Sequence, residues 1–363
     1  MTPSITPKAL YLKLKNLDKL TLLDIRDEVS FSNWSIYDSV NIPFDRLENK
    51  VSKLSPNKDI IIISKNGKRA QKAHQMLKKN GLTAYYLIEG LKGWNNIYDF
   101  VDVTQAKSPL NIIQIKRLSK GCLSYIIYST ETNKCVIIDP SRHLDVYKDE
   151  IKKRNLKAQA VIDTHIHSDH FSGAISLAKK LRVPYLLPNG SICKAKFSSL
   201  EKSLPKIFPK IDIKIVKTSG HTPESAMIIL DSTCVFSGDT MYVDAIPPID
   251  IDQDINNNTK DFFLSITNHI VPMKDNVFLF PSHTPLPMVP GPVVGATVRY
   301  IKMFTIVKYA KNQDDFHKMH QDNVVEEKNI FQTIKEANIK GKTPRKNIDE
   351  MELDAKISAA HPI

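Results

Sequence analysis

The sequence predicts a two-domain α/β protein whose second domain is built around a metal-binding loop. Three observations carry that expectation. The 363 residues are enough for two hydrophobic cores. Over the first hundred residues, short apolar runs alternate with a helical pattern, as in a small layered α/β domain. A polar stretch from Asp102 to Pro109 then breaks the pattern, and apolar alternation restarts at Ile112. The expected domains are 1–105, then 106–300, with 301–363 as a helical extension of the second.

Composition limits the partners. No apolar run approaches the length of a membrane span, and Met1-Thr2-Pro3-Ser4 opens no leader pattern, so a cytoplasmic protein without membrane association is expected. The net charge of +12 is spread along the chain without a long basic tract or a nucleic-acid motif. Solvated lysine faces explain it better than a nucleic-acid partner. Cys122, Cys135, Cys193 and Cys234 form no C-x-x-C pair, which argues against disulfides and zinc knuckles; they read as small buried apolar residues.

Within the first domain, Leu20 to Ile25 reads as a strand ending in Asp24-Ile25-Arg26, and Ser39 to Pro43 as a second, stopped by its proline. Ile60 to Ile63 is an isoleucine run of the kind buried on both faces of a parallel sheet. It leads into Ser64-Lys65-Asn66-Gly67-Lys68-Arg69 and a helix from Ala70 to Lys79 that Gly81 stops. Thr83 to Ile88 is a further strand, followed by Glu89-Gly90-Leu91-Lys92-Gly93-Trp94.

Residues 8–100 resemble the rhodanese family in order and spacing. Asp24 and Arg26 match its D-x-R opening, Asn41 to Pro43 its N-I-P strand end, and Glu89, Gly90 and Trp94 its E-G-x-x-x-W turn. The resemblance implies a three-layer α/β fold with an active loop over Ser64, Gly67 and Arg69. A rhodanese carries sulfur on a cysteine at the head of that loop, where backbone N–H groups and a helix N-terminus favour a thiolate. Ser64 occupies that position, and no cysteine precedes Cys122. The family's glycine-histidine pair is also replaced, by Trp34 and Ser35. Sulfur transfer by the usual mechanism is excluded, leaving a docking or scaffolding remnant, or a loop that still binds an anion.

The second domain opens with three apolar segments, Ile112 to Ile115, Leu123 to Tyr128 and Cys135 to Ile138, expected as antiparallel strands. A helix over Val146 to Leu156 and a buried strand over Ala160 to Asp163 follow. Thr164 to Gly173 then reads T-H-I-H-S-D-H-F-S-G, before a helix from Ala174 to Leu181. His165, His167, Asp169 and His170 thus crowd one strand-to-helix loop, which must bend if His165 and His167 are to face one ion. His221 follows a strand at Ile211 to Val216, with Gly220 allowing a turn and Pro223 stopping a helix. Asp239 and His283 each close an apolar strand. Strand ends of a layered sheet protein converge on one rim, a rigid base for a polar site.

This order of residues resembles the metallo-β-lactamase superfamily over residues 110–290, which implies an αβ/βα sandwich with a metal site on its edge. Two ligand sets are compatible with the resemblance. In the binuclear set Asp239 bridges two Zn(II) ions, one held by His165, His167 and His221 and the other by Asp169, His170 and His283, as in thioester hydrolases of the glyoxalase II kind. In the mononuclear set, that of the persulfide dioxygenases, one Fe(II) per chain is held by His165, His221 and Asp239, and the other four residues support it.

The company of a rhodanese-like domain, together with Ile138 to Arg142 and Asp169 to Gly173, looks more like the dioxygenases, and Asp314 to Asn329 looks distantly like their C-terminal extension. The expected activity is therefore oxidation of a low-molecular-weight persulfide by O2 to sulfite and free thiol. The alternatives are the zinc thioester hydrolase and a sulfur-trafficking scaffold. Two departures leave the carrier thiol open. The arginine that dioxygenases use for glutathione persulfide is missing from Val243 to Asp250, and the proline-rich run Pro281 to Pro292 forms a rigid loop beside the site. A homo-oligomer and a sulfur-carrier protein docking on the first domain are compatible with this reading.

Overall fold

The computed structural model describes residues 3–104, 108–243, 245–249, 255–284, 287–321, 328–344, 346–354 and 361–362. Parts of three stretches singled out above therefore lie outside the described residues: the centre of the polar linker, Asp244 and Asp250 of the departing stretch, and 322–327 of the tail. The chain divides into two compact units. One comprises Met1–Asp99 with Arg117–Gly121 and Pro287–Pro292, and the other Phe100–Lys116, Cys122–Leu286 and Val293–Ile363. No helix of the described residues is long and apolar enough to cross a membrane.

The first unit holds a five-stranded parallel sheet in the order Ser4–Ile5, Ala84–Leu87, Asp59–Ile63, Leu20–Asp24, Ser39–Asn41. The isoleucine run is central and fully buried, as its composition predicts for a strand covered on both faces. The helix Lys68–Lys79 buries Ala70, Ala73 and Leu77. It starts earlier than the apolar pattern suggests because Gly67, at φ 82°, turns the chain into it. Arg26 lies against both carboxylate oxygens of Asp24 (3.0 and 2.7 Å), and Asn41 Nδ2 donates to the carbonyls of Asp24 and Arg26. The D-x-R and N-I-P residues thus tie two strand ends together.

The loop after Ile63 is closed on itself. Gly67 N donates to Ser64 Oγ (3.1 Å), while the carbonyls of Ser64 and Lys65 accept from Leu91 and Lys92. Gly90, at φ 57°, is the residue that allows this closeness: a Cβ there would lie 2.0 Å from the Ser64 carbonyl oxygen. Ser64 is buried and its hydroxyl faces its own loop, while Arg69 is exposed. Restoring only the missing thiol should therefore not restore transfer chemistry. We expect Ser64→Cys to give no robust thiosulfate sulfurtransferase turnover in a cyanide assay. Strong turnover would mean that the loop is intact and had lost a single atom.

The second unit packs two sheets. The larger has the order Ser198–Ser199, Tyr185–Leu187, Lys157–Ile162, Lys134–Ile138, Cys122–Ser129, Leu110–Arg117, Tyr98–Thr104. It is antiparallel between Cys122–Ser129 and Lys134–Ile138, and parallel from Lys134–Ile138 outward to Ser198–Ser199. The smaller runs Ile213–Lys217, Ala226–Leu230, Cys234–Gly238, Phe278–Pro281, Ala296–Thr297. Between them Tyr125 sits edge-on to Phe236 (4.9 Å) and Phe280 (5.7 Å), and its hydroxyl donates to the Pro281 carbonyl. Leu123 N donates to the Ser282 carbonyl (2.7 Å), and Cys122 bridges His283 through the backbone, so the sheets are stitched at one end.

The tail forms the helices Val298–Phe304, Gln313–Gln321, Lys328–Lys340 and Ile348–Asp354. Val307 is buried in the core with Phe262, Ile301 and Phe316, whereas Phe304 is exposed.

Candidate metal centre

The seven ligand-type residues singled out in the sequence all reach the stitched end of the sandwich, and all are buried. The loop after Lys157–Ile162 brings His165, His167, Asp169 and His170; the turn after Ile213–Lys217 brings His221; the ends of Cys234–Gly238 and Phe278–Pro281 bring Asp239 and His283. The first loop bends as two histidines on one side require: the rings of His165 and His167 are 4.2 Å apart. Gly238, at φ 55°, passes so close that a Cβ would meet Thr164 Oγ1 at 2.8 Å.

The donor atoms fall into groups. Those of His165, His221 and Asp239 lie within 4.8 Å of one another, with the two Nε2 atoms 3.7 and 3.5 Å from Asp239 Oδ2. Those of Asp169, His170 and His283 form a second group that also includes Cys122. His167 does neither with its Nε2, which faces Asp139 (3.3 Å) and Asp163 (3.6 Å) and leaves Nδ1 buried without a hydrogen-bond partner. Its ring nevertheless lies between those of His165 and His170, at 4.2 and 4.4 Å.

Hydrogen bonding sets the tautomers. His221 Nδ1 faces the Pro248 carbonyl (2.7 Å), which can only accept, so Nδ1 carries the proton and Nε2 the lone pair. Thr164 Oγ1 gives its proton to Asp139 (2.9 Å) and so accepts from His165 Nδ1 (3.0 Å), again turning a lone pair out on Nε2. Each imidazole is oriented by an oxygen on its far side, the arrangement that metal-binding histidines use.

Burial pushes His165 well below its ordinary value, and neighbouring His167 adds to the effect. Burial opposes charge on His167 as well, but hydrogen bonds from Asp139 and Asp163 carry it well above. His170 is raised to about 9 against burial by Asp169, and His283 well above its ordinary value by Asp169 and Asp239. Burial would raise Asp169 and Asp239; the surrounding histidines hold both below the usual carboxylate range. Burial would also raise the Cys122 thiol, yet His170 and His283 bring it down to about 6. Metal binding requires neutral imidazoles, so an ion entering here displaces protons.

The residues fit a metal. His165 Nε2, His167 Nδ1, His170 Nε2, Asp169 Oδ2 and His283 Nε2 are buried and make no hydrogen bond. Orphaned polar atoms are costly in a core and are not expected in a cluster unless something binds them.

Several contributors escape a sequence reading. Asp139 and Asp163 each follow an apolar strand, the same signal that marks Asp239. Cys122, read from the sequence as a small apolar filler, belongs to the donor cluster. Glu224 accepts from Ile166 N (2.8 Å) and Glu352 from Phe171 N (3.3 Å), while Arg142 Nε donates to Glu352 (3.0 Å). Asn338 donates to the carbonyls of His167 (2.8 Å) and His170 (2.9 Å) and accepts from Ser172 N (3.0 Å). Nothing in a single sequence links Asn338 or Glu352 to the loop they hold. Removing the three hydrogen bonds by Asn338→Leu should weaken metal binding about 10–100-fold, the range for groups that orient ligands. Competition with a chromophoric chelator measures this, and unchanged affinity would show that the loop keeps its shape without the helix.

Comparison with known proteins agrees with this architecture. Residues 6–97 match the rhodanese-like domain, and residues 120–208 match the metallo-beta-lactamase superfamily. The mitochondrial persulfide dioxygenase ETHE1 of Mus musculus is 25% identical over 178 residues, covering 45% of this chain and 65% of the relative. The cytoplasmic hydroxyacylglutathione hydrolase isozyme of Saccharomyces cerevisiae is 25% identical over 134 residues, covering 32% of this chain and 47% of the relative. The chain thus matches only part of the length of each. Among solved structures, a metallo-beta-lactamase from Staphylococcus aureus superposes with a TM-score of 0.58 at 24% identity, covering 65% of this chain and 74% of that one, and shares its fold. The chain carries a rhodanese-like domain followed by a domain of the metallo-β-lactamase superfamily, a superfamily whose relatives of this chain include both a dioxygenase and a hydrolase.

Proposed function

We propose that the chain oxidises a low-molecular-weight persulfide with O2, yielding sulfite and the free thiol. One persulfide, one O2 and one water give one thiol, one sulfite and two protons, so the reaction needs no further reductant. The observation that carries this reading is the group of His165, His221 and Asp239, two imidazoles and a carboxylate with lone pairs turned to a common point. Such a set suits a single Fe(II) with open positions, which supplies the redox chemistry with O2 that no side chain here provides. The chain's own part is to orient and to enclose. Pro248 and Thr164 hold the two imidazoles in their tautomers, and burial of the whole cluster limits water at the reacting centre. Similarity to the mouse persulfide dioxygenase and the company of a rhodanese-like domain support the same reading.

A second reading, a binuclear zinc hydrolase, is favoured by the donor group of Asp169, His170 and His283 and by similarity to the yeast hydrolase. Elemental analysis of anaerobically purified protein, paired with an oxygen electrode and small-molecule persulfides, separates them. Iron with persulfide-dependent O2 uptake supports the dioxygenase. Two zinc ions with thioester cleavage and no O2 uptake would sink it.

A further inference from the structure

Cys122 lies outside every ligand set that the sequence suggests, yet it is buried among the donors. It opens the strand Cys122–Ser129, and its backbone is pinned opposite His283. Its sulfur lies with donor atoms of Asp169, His170 and His283, all within 4.8 Å of one another. The second group therefore offers four protein ligands of sulfur, oxygen and nitrogen, whereas His165, His221 and Asp239 offer three.

The hydrogen bonds around this group aim its lone pairs inward. His283 Nδ1 donates to Asp239 Oδ1 (2.7 Å), leaving Nε2 for the group, 2.7 Å from Asp169 Oδ2. His170 Nδ1 donates to Asp169 Oδ1 (3.1 Å), leaving Nε2 without a hydrogen-bond partner. Asp239 Oδ1 is thereby engaged by His283, while Oδ2 faces His165 and His221. The carboxylate serves one group as ligand and the other as the oxygen that orients its histidine.

We propose that Cys122, Asp169, His170 and His283 form a closed four-ligand Zn(II) position beside the open position of His165, His221 and Asp239. Four protein ligands including a thiolate suit a tetrahedral zinc that has no vacant position for substrate. Its part is to fix the geometry of the loop and of Asp239, not to turn over substrate. The inference rests on taking the three-ligand group as the reactive one.

Cobalt substitution tests it. Full-length protein freed of metal and loaded with Co(II) should show intense near-ultraviolet thiolate-to-cobalt absorption. That band should disappear in Cys122→Ser and in His170→Ala, and persist in His221→Ala. Zinc affinity of Cys122→Ser, from chelator competition, should fall by at least about 100-fold, more than for a residue that only orients a ligand. Circular dichroism of each variant establishes that it is folded. Absence of the band in the wild type, or its survival in a folded Cys122→Ser, overturns the inference. Loss of the band in His221→Ala with retention in His170→Ala would place the thiolate with the open group and overturns it too. A wild type that shows iron-dependent O2 uptake without the band sinks this inference and leaves the dioxygenase standing. A protein with the band and no such uptake does the reverse.

Discussion

Asp239→Asn should cut persulfide-dependent O2 uptake by more than about 100-fold, beyond the 10–100-fold expected for a residue that only orients a ligand. The substitution keeps the shape and removes the charge. In the native chain Oδ2 stands 3.7 Å from His165 Nε2 and 3.5 Å from His221 Nε2, while Oδ1 accepts from His283 Nδ1 at 2.7 Å. Asparagine can accept from His283 only by turning its NH2 toward the lone pairs of the other two imidazoles, where a donor repels an ion. If the amide flips, it confronts the His283 N–H instead. Either way the three-donor group loses its only anion. Iron content and O2 uptake should fall together while circular dichroism is unchanged. Full iron with full activity would mean that the reactive metal is held elsewhere in the cluster.

The parts of this molecule that its sequence reveals are those where a local pattern has one physical cause. Four isoleucines in a row can be satisfied only in a strand covered on both faces, and Ile60 to Ile63 is such a strand. Ligand-type residues at strand ends mark a rim because the strands themselves are rigid, and His221, Asp239 and His283 meet the first loop there. What escapes is what depends on distance. A cysteine in an apolar strand has the same pattern as an alanine, so Cys122 is recognised only once His170 and His283 stand around it. Asn338 and Glu352 sit on helices of ordinary composition and matter because those helices return to a loop that precedes them by more than a hundred residues. Asp139 is the intermediate case, visible as a strand end but not as a partner.

Asp139→Asn is the test of that partner, and the stability cost should be on the order of 3 kcal/mol in the metal-free protein. The side chain is buried, and all its neighbours donate to it. Thr164 N approaches at 2.7 Å, Thr164 Oγ1 at 2.9 Å and His167 Nε2 at 3.3 Å, with Ser282 Oγ beside them. Asparagine has one acceptor oxygen and two N–H donors, so at least one of these donors must face another donor. The backbone is not at issue, since asparagine tolerates the positive φ of 50° found here. The consequence reaches the metal through Thr164. Once its hydroxyl no longer donates to Asp139, it has no reason to accept from His165, and the lone pair on His165 Nε2 loses its fixed aim. Metal affinity should therefore drop about 10–100-fold alongside the loss of stability. The pH dependence separates this from a general packing defect. Burial would raise the Asp139 carboxyl, but His167 and its other hydrogen bonds hold it down at about 2. A carboxylate lowered in the folded state stabilises above its unfolded value, near pH 4, and that contribution disappears as pH falls toward the folded value. The difference in thermal midpoint between wild type and Asp139→Asn should thus be full near neutrality and shrink below about pH 4. A gap that stays constant as the pH falls would show that Asp139 acts by shape alone, and that the relay from Asp139 through Thr164 to His165 carries no electrostatic weight.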